Sequence, residues 1–243
     1  MIEAALWGAL PVAGVAGTLT WAARHPRAQL FGPTVYRTPR VEGRKTFALT
    51  FDDGPNPAVT PRLLDLLEKH QAHATFFLIG KFVRECPELV REIAARGHAI
   101  GNHTDTHPDL IWLSSARIRE ELLRCEESIG EALRAGADVR TRRWLRPPYG
   151  ARGPQLEAVR RSEGILGVVM WSVLCWDWKP QPASRLIRRL NRADDGDIVV
   201  MHDGDYRAQN GDRGHVVEAL AHWLPRWRDS GFEFVTMDAA AAD

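Results

Sequence analysis

Segments typical of strands alternate with segments typical of helices along most of the 243-residue chain. Short apolar runs rich in β-branched and aromatic residues predict about seven strands, at residues 47–51, 74–79, 98–101, 143–146, 166–172, 197–201 and 233–237. Helical periodicity predicts the helices between them, at residues 59–69, 82–96, 115–134, 155–162, 183–191 and 216–228. Pro225 is expected to kink or shorten the last helix. This alternation predicts one α/β domain built on a parallel sheet or barrel.

Two adjacent carboxylates, Asp52 and Asp53, follow one of these apolar runs and precede Gly54 and Pro55. Neighbouring side chains on a strand point to opposite faces, but a tight turn at the strand end allows both carboxylates to enter one pocket. Two close carboxylates repel each other unless a cation or a proton separates them, so one can hold a metal while the other accepts a proton. Taken alone, the segment is more typical of an ordinary surface turn.

Two histidines, His103 and His107, are spaced four residues apart. On a helical turn this spacing puts both imidazoles on one face, where they can bind a single cation. An aspartate as third ligand would leave coordination positions open for water and substrate. A histidine pair at this spacing is often incidental, but the upstream Asp52 and Asp53 favour a metal site.

Arg146 and His202 are further candidates for a catalytic site. The two prolines that follow Arg146 restrict the backbone, so its guanidinium can pair with a carboxylate and keep it ionised. Backbone N–H groups at such a turn can also form an oxyanion hole. His202 ends an apolar strand just before a glycine-containing turn, which suits a general acid. A surface arginine on a rigid loop and a half-buried histidine are the structural alternatives.

In this order, the segments resemble the motifs of the polysaccharide deacetylase family, also called the NodB-homology domain or carbohydrate esterase family 4. The similarity runs from about Lys45 to about Met237. A single one of these motifs would be weak evidence, whereas the whole set in this order is specific. The matching segments are TFDDGP (50–55), HTDTH (103–107), RPPYG (146–150), WSVLCWDW (171–178) and VMH (200–202). The last departs from the usual Leu-x-His by Val200, which changes only the size of an apolar wall.

The resemblance implies an irregular (β/α) barrel of about seven parallel strands and a metal-dependent hydrolase that removes N-acetyl groups from an amino sugar or polysaccharide. Asp52 would be the general base, oriented by Arg146, and His202 the general acid, tuned by Asp177. The metal ligands would be Asp53, His103 and His107. Zinc suits this ligand set, and cobalt, nickel or manganese would fit similar ligands.

For the substrate, the resemblance implies contacts with Pro148, Tyr149, Trp178 and Val200, with the Tyr149 backbone N–H helping to hold the oxyanion. Trp112, Trp176 and Trp178 are also expected to stack on sugar rings. The alternative functions are an O-acetyl esterase or a deformylase acting on a lipid-linked sugar, and a catalytically silent carbohydrate-binding domain. The other histidines, such as His98 and His215, match no motif and are expected to be structural.

The N-terminal part of the chain differs in composition. Residues 4–23 carry no charge and, as a helix, would span roughly 30 Å, which predicts a membrane anchor. A cleavable signal peptide, a peripheral helix and an apolar helix packed on the barrel are the alternatives. Residues 24–44 are predicted to be a basic linker, and residues 45–243 the catalytic domain. The basic flank favours a domain on the cytoplasmic side of the membrane, whereas the polymers on which the family acts lie outside it. The sequence therefore does not predict on which side of the membrane the domain lies. A soluble form is a further alternative.

The net charge and the cysteine content limit the classes of partner and of site that the chain is expected to have. A formal net charge of +1 gives no electrostatic basis for nucleic-acid binding, so a carbohydrate is the expected partner. Three widely spaced cysteines form no Cys-x-x-Cys pair, and their odd number leaves at least one thiol free or intermolecular. The oligomeric state is not predicted.

Overall fold

The computed structural model describes residues 17–134 and 144–241. The strands of its sheet are β1 (Thr34–Val35), β2 (Lys45–Gly54), β3 (Ala74–Leu78), β4 (Ala99–Asn102), β5 (Trp144–Leu145), β6 (Gly167–Val169), β7 (Val173–Leu174), β8 (Ile198–His202) and β9 (Phe232–Phe234). They form one 9-stranded sheet in the order β1-β6-β5-β4-β3-β2-β8-β7, with β9 beside β2. Every named pair of these strands is parallel. The sheet curls into an open barrel, which confirms the predicted fold class.

Helices cover the sheet between successive strands. They are α1 (residues 17–24), α2 (Thr60–Lys69), α3 (Gly80–Glu85), α4 (Pro87–Ala95), α5 (Ser115–Arg134), α6 (Pro154–Ser162), α7 (Ala183–Leu190), α8 (Gly214–Asp229) and α9 (Met237–Ala240). Short 3₁₀ turns follow β4 at Leu110–Trp112 and β5 at Pro148–Gly150. Since parallel strands need a crossover connection, this arrangement follows from the alternation seen in the sequence.

Each predicted strand has a counterpart, and β1 and β7 are additional. Both have only 2 residues, too few to produce a periodic signal. The predicted helix at 82–96 is divided into α3 and α4 at Pro87, because proline has no N–H to continue the helical hydrogen bonds. The predicted shortening at Pro225 is wrong, since α8 continues through this residue to Asp229.

The central strand β2 is buried from Thr46 to its end. Both of its faces are covered, as expected of a strand inside a parallel sheet with helices on either side. Phe47 packs edge-on against Trp227 of α8 at 4.9 Å and against Phe234 of β9 at 5.2 Å between ring centroids. Such aromatic burial fixes β2, and therefore also the position of the acidic residues at its carboxyl end.

Residues just before β1 pack on the domain. The buried guanidinium of Arg152 donates hydrogen bonds to the backbone carbonyls of His25 and Ala28, each at 2.7 Å. Most of the predicted anchor, residues 4–16, lies outside the described residues. Among the helices that the structure does describe, none combines the length and apolar character needed to cross a membrane. The anchor and the domain boundary at residue 45 remain predictions.

Candidate active site

The predicted site residues meet at the carboxyl end of the sheet. Asp52 and Asp53 end β2, His103 follows β4, Arg146 follows β5 and His202 ends β8. The carboxyl ends of parallel strands share one rim of a barrel, so residues distant in sequence converge there. A cavity of about 380 Å³ opens at this rim. Its lining includes Asp52, Asp53, His103, His107 and His202.

Both adjacent carboxylates reach this cavity because β2 is irregular at its end. The pairing register with β3 shifts between Asp52 and Gly54, and Asp53 has a φ of 70°. This left-handed conformation is uncommon for a residue with a Cβ atom. It breaks the alternation of the strand, which would otherwise send Asp52 and Asp53 to opposite faces.

Asp53, His103 and His107 form a compact cluster of possible metal ligands. Asp53 Oδ1 lies 3.4 Å from His103 Nε2 and 3.3 Å from His107 Nε2, and the three ligand atoms lie within 4.8 Å of one another. This oxygen is buried and has no hydrogen-bond partner among the described residues. His103 Nδ1 donates a hydrogen bond of 2.7 Å to the carbonyl of Arg146, which leaves the lone pair of Nε2 available for a metal. These donors fit a divalent cation.

The electrostatics of the cluster also suit a cation. Burial acts to raise the pKa of Asp53, but the nearby His103 side chain, together with His107 and His202, brings that pKa below its usual range. Burial, together with His103, lowers the pKa of His107 to about 3. The carboxylate is therefore ionised and the His107 imidazole neutral at pH 7, which are the protonation states a metal requires of its ligands.

The histidine pair lies on a loop, so the predicted placement on a helical turn is wrong. Thr104 and His107 have φ values of 68° and 63°, which lie outside the right-handed α-helical region. The loop is held by hydrogen bonds: the His107 N–H donates to Thr104 Oγ1, and the N–H and hydroxyl of Thr106 donate to the buried Glu121 carboxylate. Local hydrogen bonds therefore bring His103 and His107 to one side, with ring centroids 5.0 Å apart.

Arg146 is fully buried behind Asp52. Its Nη1 donates to Asp52 Oδ1 at 2.8 Å and to Thr50 Oγ1 at 2.7 Å, and its Nη2 donates to the Met170 carbonyl at 3.1 Å. The guanidinium carbon lies 4.3 Å from the ring centroid of Phe77. A buried guanidinium with partners on several sides has one orientation, so it fixes the position of the Asp52 carboxylate.

His202 is held by the buried Asp177. Its backbone N–H donates to Asp177 Oδ2 at 2.6 Å and its Nδ1 donates to Oδ1 at 3.1 Å, which leaves Nε2 free to exchange a proton. Burial lowers the pKa of His202, but the Asp177 charge and hydrogen bond outweigh it and raise the pKa to about 9. His202 is therefore a cation at pH 7. His215 Nε2 donates to the Asp177 carbonyl at 2.8 Å and so supports this pair.

Apolar and aromatic side chains form the cavity wall. Of the predicted substrate contacts, Tyr149, Trp178 and Val200 line the cavity, as does Trp176. Pro148 is buried and its neighbour Pro147 provides the lining instead. Trp112, predicted to stack on a sugar, is 80% exposed and is not part of this wall.

Several residues near the site were not recognised from the sequence. Tyr206 stacks on His107 with ring centroids 4.2 Å apart and planes 14° from parallel. Asp203 is buried, its side chain accepts a hydrogen bond from Thr60, and burial raises its pKa to about 7. His215, described above, was classed as structural. Tyr206 and Asp203 follow His202 in the same turn, and their proximity in sequence to this candidate acid is the feature that could have identified them.

Comparison with known proteins agrees with this geometry. A family model described as polysaccharide deacetylase matches residues 40–168. The chitooligosaccharide deacetylase of a Bradyrhizobium species is 37% identical over 200 residues, which cover 79% of this chain and 89% of that protein. A peptidoglycan-N-acetylglucosamine deacetylase of Bacillus cereus is 34% identical over 212 residues, 84% of this chain and 92% of the relative. The structure of peptidoglycan deacetylase PdaC from Bacillus subtilis matches with a TM-score of 0.71 and 32% identity, over 82% of this chain and 91% of that one.

Proposed function

Because this chain belongs to the polysaccharide deacetylase family and is a hydrolase of amide bonds, we propose that it removes N-acetyl groups from an amino sugar in an oligomer or polymer. The observation that supports the proposal is one cavity lined both by the candidate metal-ligand cluster and by Asp52 and His202, the proposed base and acid. The relatives named for chitooligosaccharide and peptidoglycan deacetylation support N-acetylglucosamine as the sugar.

Asp53, His103 and His107 are proposed to hold the divalent cation. When bound, such an ion polarises the acetyl carbonyl and acidifies a water molecule. The mixed oxygen and nitrogen ligands support zinc, while cobalt, nickel and manganese accept similar sets. Three protein ligands leave positions for water and substrate, as in a catalytic rather than a structural site.

Asp52 and His202, which line the same cavity, are proposed to act as the base and the acid. Asp52, held by Arg146, accepts a proton from the attacking water. The Tyr149 backbone N–H is proposed to stabilise the negative charge that develops on the carbonyl oxygen. His202, a cation held by Asp177, donates a proton to the departing nitrogen, which would otherwise leave as an unstable amide anion.

The cavity wall supports the selection of an acetyl group on a sugar. Trp178 lies with its ring centroid 5.4 Å from that of His202, and Val200 is buried beside them on β8. Together they are proposed to surround the acetyl methyl group. Trp171 and Trp176 line the same cavity, and aromatic rings of this kind pack well on the apolar faces of sugars.

Acetate release from short N-acetylglucosamine oligomers tests the function. The full-length protein is expected to release acetate as purified, to stop after chelation, and to recover when zinc is restored. Chelation removes the ion but leaves the chain unchanged, so recovery attributes the loss to the metal. A protein that binds metal yet releases no acetate would contradict the N-acetyl substrate, and a protein that binds no metal would contradict the cluster as a metal site.

The pH dependence of turnover should reflect the protonation of His202. Its protonated form is the acid, so kcat/KM is expected to fall about tenfold per pH unit above pH 9. The Asp177 carboxylate causes the raised pKa, with smaller contributions from Asp53 and Asp52. In Asp177→Asn the charge is lost and burial dominates, so the alkaline limb should move below pH 9, towards or below the ordinary value of 6.5.

Stability provides an independent check on the same pair. Since the folded-state pKa of about 9 lies above the ordinary 6.5, the pair stabilises the fold fully below pH 6.5, and that contribution is lost as pH rises through 9. This loss of stability at alkaline pH should be absent in Asp177→Asn. If the alkaline limb of kcat/KM lies at the same pH in the wild-type protein and in Asp177→Asn, His202 is not the acid whose pKa Asp177 raises.

A further inference from the structure

Arg152 is a buried cation that has no role in the chemistry proposed above. The residue is 1% exposed, and within residues 17–134 and 144–241 no carboxylate pairs with it. Burial lowers its pKa to about 10, so the guanidinium is still charged at pH 7. A buried charge is costly unless hydrogen bonds replace those it made to water. Backbone carbonyls around Arg152 supply this compensation.

These carbonyls belong to two parts of the chain that are distant in sequence. Arg152 Nη2 donates to the carbonyls of His25 and Ala28, each at 2.7 Å, and Nη1 donates to the Gly150 carbonyl at 3.3 Å. The backbone N–H of Arg152 donates to the Ala23 carbonyl at 2.9 Å. Arg152 therefore joins the N-terminal part of the chain to the turn that follows β5.

That turn, residues 146–150, carries two groups of the proposed reaction. Arg146 orients the proposed base, and the Tyr149 backbone N–H is the proposed oxyanion donor. Tyr149 has a φ of 59°, in the left-handed region that is uncommon for a residue with a Cβ atom. Such a conformation persists only where the surrounding contacts hold it. Gly150, whose carbonyl accepts a hydrogen bond from Arg152, is the next residue in the chain.

Met170 provides a second connection between the site and the N-terminal brace, residues 21–35. Its N–H donates to the carbonyl of Val35, in β1, at 2.7 Å. Its carbonyl accepts a hydrogen bond from Arg146 Nη2 at 3.1 Å, and its sulfur lies 3.8 Å from Arg152 Nη1. The brace is therefore linked to the guanidinium that holds the proposed base as well as to the turn with the oxyanion donor.

The N-terminal brace precedes the range matched by the family model, which begins at residue 40. The shared motifs therefore do not account for its contacts. The brace is itself folded onto the domain, since Ala23 and Ala28 are buried and Thr34 Oγ1 donates to the Pro26 carbonyl at 2.8 Å. Its position is thus fixed well enough to support another part of the chain.

We propose that Arg152 is a positioning residue for the reaction and that it uses the N-terminal brace to fix the turn at residues 146–150. The inference rests on the proposed deacetylase function, because Arg152 does not line the cavity and acts through the Tyr149 N–H. A displaced oxyanion donor weakens binding of the transition state more than binding of the substrate. The catalytic unit then includes the brace rather than beginning at residue 45.

The test uses the full-length protein, zinc and short N-acetylglucosamine oligomers. Arg152→Lys keeps the charge, but a single ammonium group cannot reproduce the planar fork that reaches the three carbonyls. Ala28→Leu overpacks a buried position and so displaces the brace from Arg152. Arg91→Lys is the matched control, because Arg91 Nη1 also donates to a backbone carbonyl, that of Ala132 at 3.0 Å, yet does not line the cavity.

The readouts are kcat, KM, the zinc-dependent rise in Tm and amide hydrogen exchange at residues 150–152. Arg152→Lys should lower kcat about tenfold and leave KM within about twofold, because a small displacement of the donor affects the transition state. The zinc-dependent rise should persist, since the proposed ligands are unchanged, whereas the amides of the turn should exchange faster. Ala28→Leu should behave alike, and the double variant should be no slower than Arg152→Lys, because both act through one brace.

Arg91→Lys should keep the wild-type kcat and the wild-type exchange of the turn. An unchanged kcat in Arg152→Lys or Ala28→Leu, or additive losses in the double variant, would overturn the proposal. So would an equal fall in kcat in Arg91→Lys, or a zinc-dependent rise that disappears together with kcat, because either would indicate general destabilisation. Faster exchange of the turn in Arg152→Lys, with no acetate release even from the wild type, would support the brace and contradict only the deacetylase function.

Discussion

Asp52→Asn is expected to lower kcat for acetate release by about 10³-fold, within the range that general-base catalysis contributes. The substitution keeps the size of the side chain and an oxygen to accept the 2.8 Å hydrogen bond from Arg146, so the buried contact persists. An amide, however, cannot accept a proton from water at neutral pH. Because the three proposed ligands are unchanged, the variant should bind zinc as the wild type does.

Asp229→Asn, at the exposed end of α8, is the matched control for Asp52→Asn and should retain full kcat. The measurements are acetate release under saturating substrate and zinc content by titration after chelation. A variant at position 52 with unchanged kcat would show that another group accepts the proton. A variant that loses zinc as well would show that Asp52, rather than Asp53 alone, contributes to the metal site.

His103→Ala is expected to abolish both zinc binding and turnover. The substitution removes the Nε2 ligand that lies 3.4 Å from Asp53 Oδ1 and the hydrogen bond from Nδ1 to the Arg146 carbonyl. Loss of even an outer partner of a metal ligand lowers affinity by about 10- to 100-fold, so loss of the ligand itself should exceed 100-fold. Turnover should then fall to the background rate, because the activity is proposed to need the cation.

Thermal unfolding distinguishes this loss from simple destabilisation. A ligand that binds only the folded protein stabilises it by about 2.7 kcal/mol at a concentration 100 times its Kd. Added zinc should therefore raise the Tm of the wild type and of Asp52→Asn, but not that of His103→Ala. His98→Ala is the matched control, since His98 is also buried and accepts a hydrogen bond from the Ala74 N–H, yet lies outside the cluster. It should lose stability but keep the zinc-dependent rise.

Equal zinc-dependent stabilisation in His103→Ala and His98→Ala would contradict the assignment of His103 as a ligand. Equal loss of zinc in His103→Ala and Asp52→Asn would contradict the division of roles between base and ligand. The division depends on β2, because its register shift is what separates the environments of Asp52 and Asp53. One carboxylate faces a guanidinium and the other faces two imidazoles.

The candidate site residues could be picked out from the sequence because their types and spacing suit the proposed chemistry. The Asp52-Asp53 pair and the histidine pair are local patterns, and their order along the chain matches a known family. The conformations behind these patterns could not be found in the same way. The proximity of His103 and His107 was predicted from a helical turn, whereas it is produced by a loop with left-handed residues such as Thr104. The same spacing occurs in a helix and in this loop, and only the hydrogen bonds that Glu121 and Thr104 accept distinguish the two.

Some residues reach the site only through the tertiary fold, and these were not identified from the sequence because no periodicity or motif marks them. Tyr206 lies 99 positions after His107 in the chain but stacks on it in the fold, and His215 reaches the Asp177 carbonyl from the start of α8. The same holds for β1, which pairs with β6 across more than half of the chain. Two residues of extended chain bury too little surface to leave a local signal.

The alternation of strands and helices follows from the amino-acid sequence alone, and so does a parallel sheet whose strand ends carry the acidic, basic and imidazole side chains. This is because backbone periodicity and apolar patterning are local properties, read over a few residues. Which of these groups face one another depends on how distant segments pack in the folded chain. Arg146 contacts Asp52 rather than Asp53, and His202 contacts Asp177. Distances between strands, the curl of the sheet and the burial of charges set these pairings, and all three arise from packing between segments far apart in the chain.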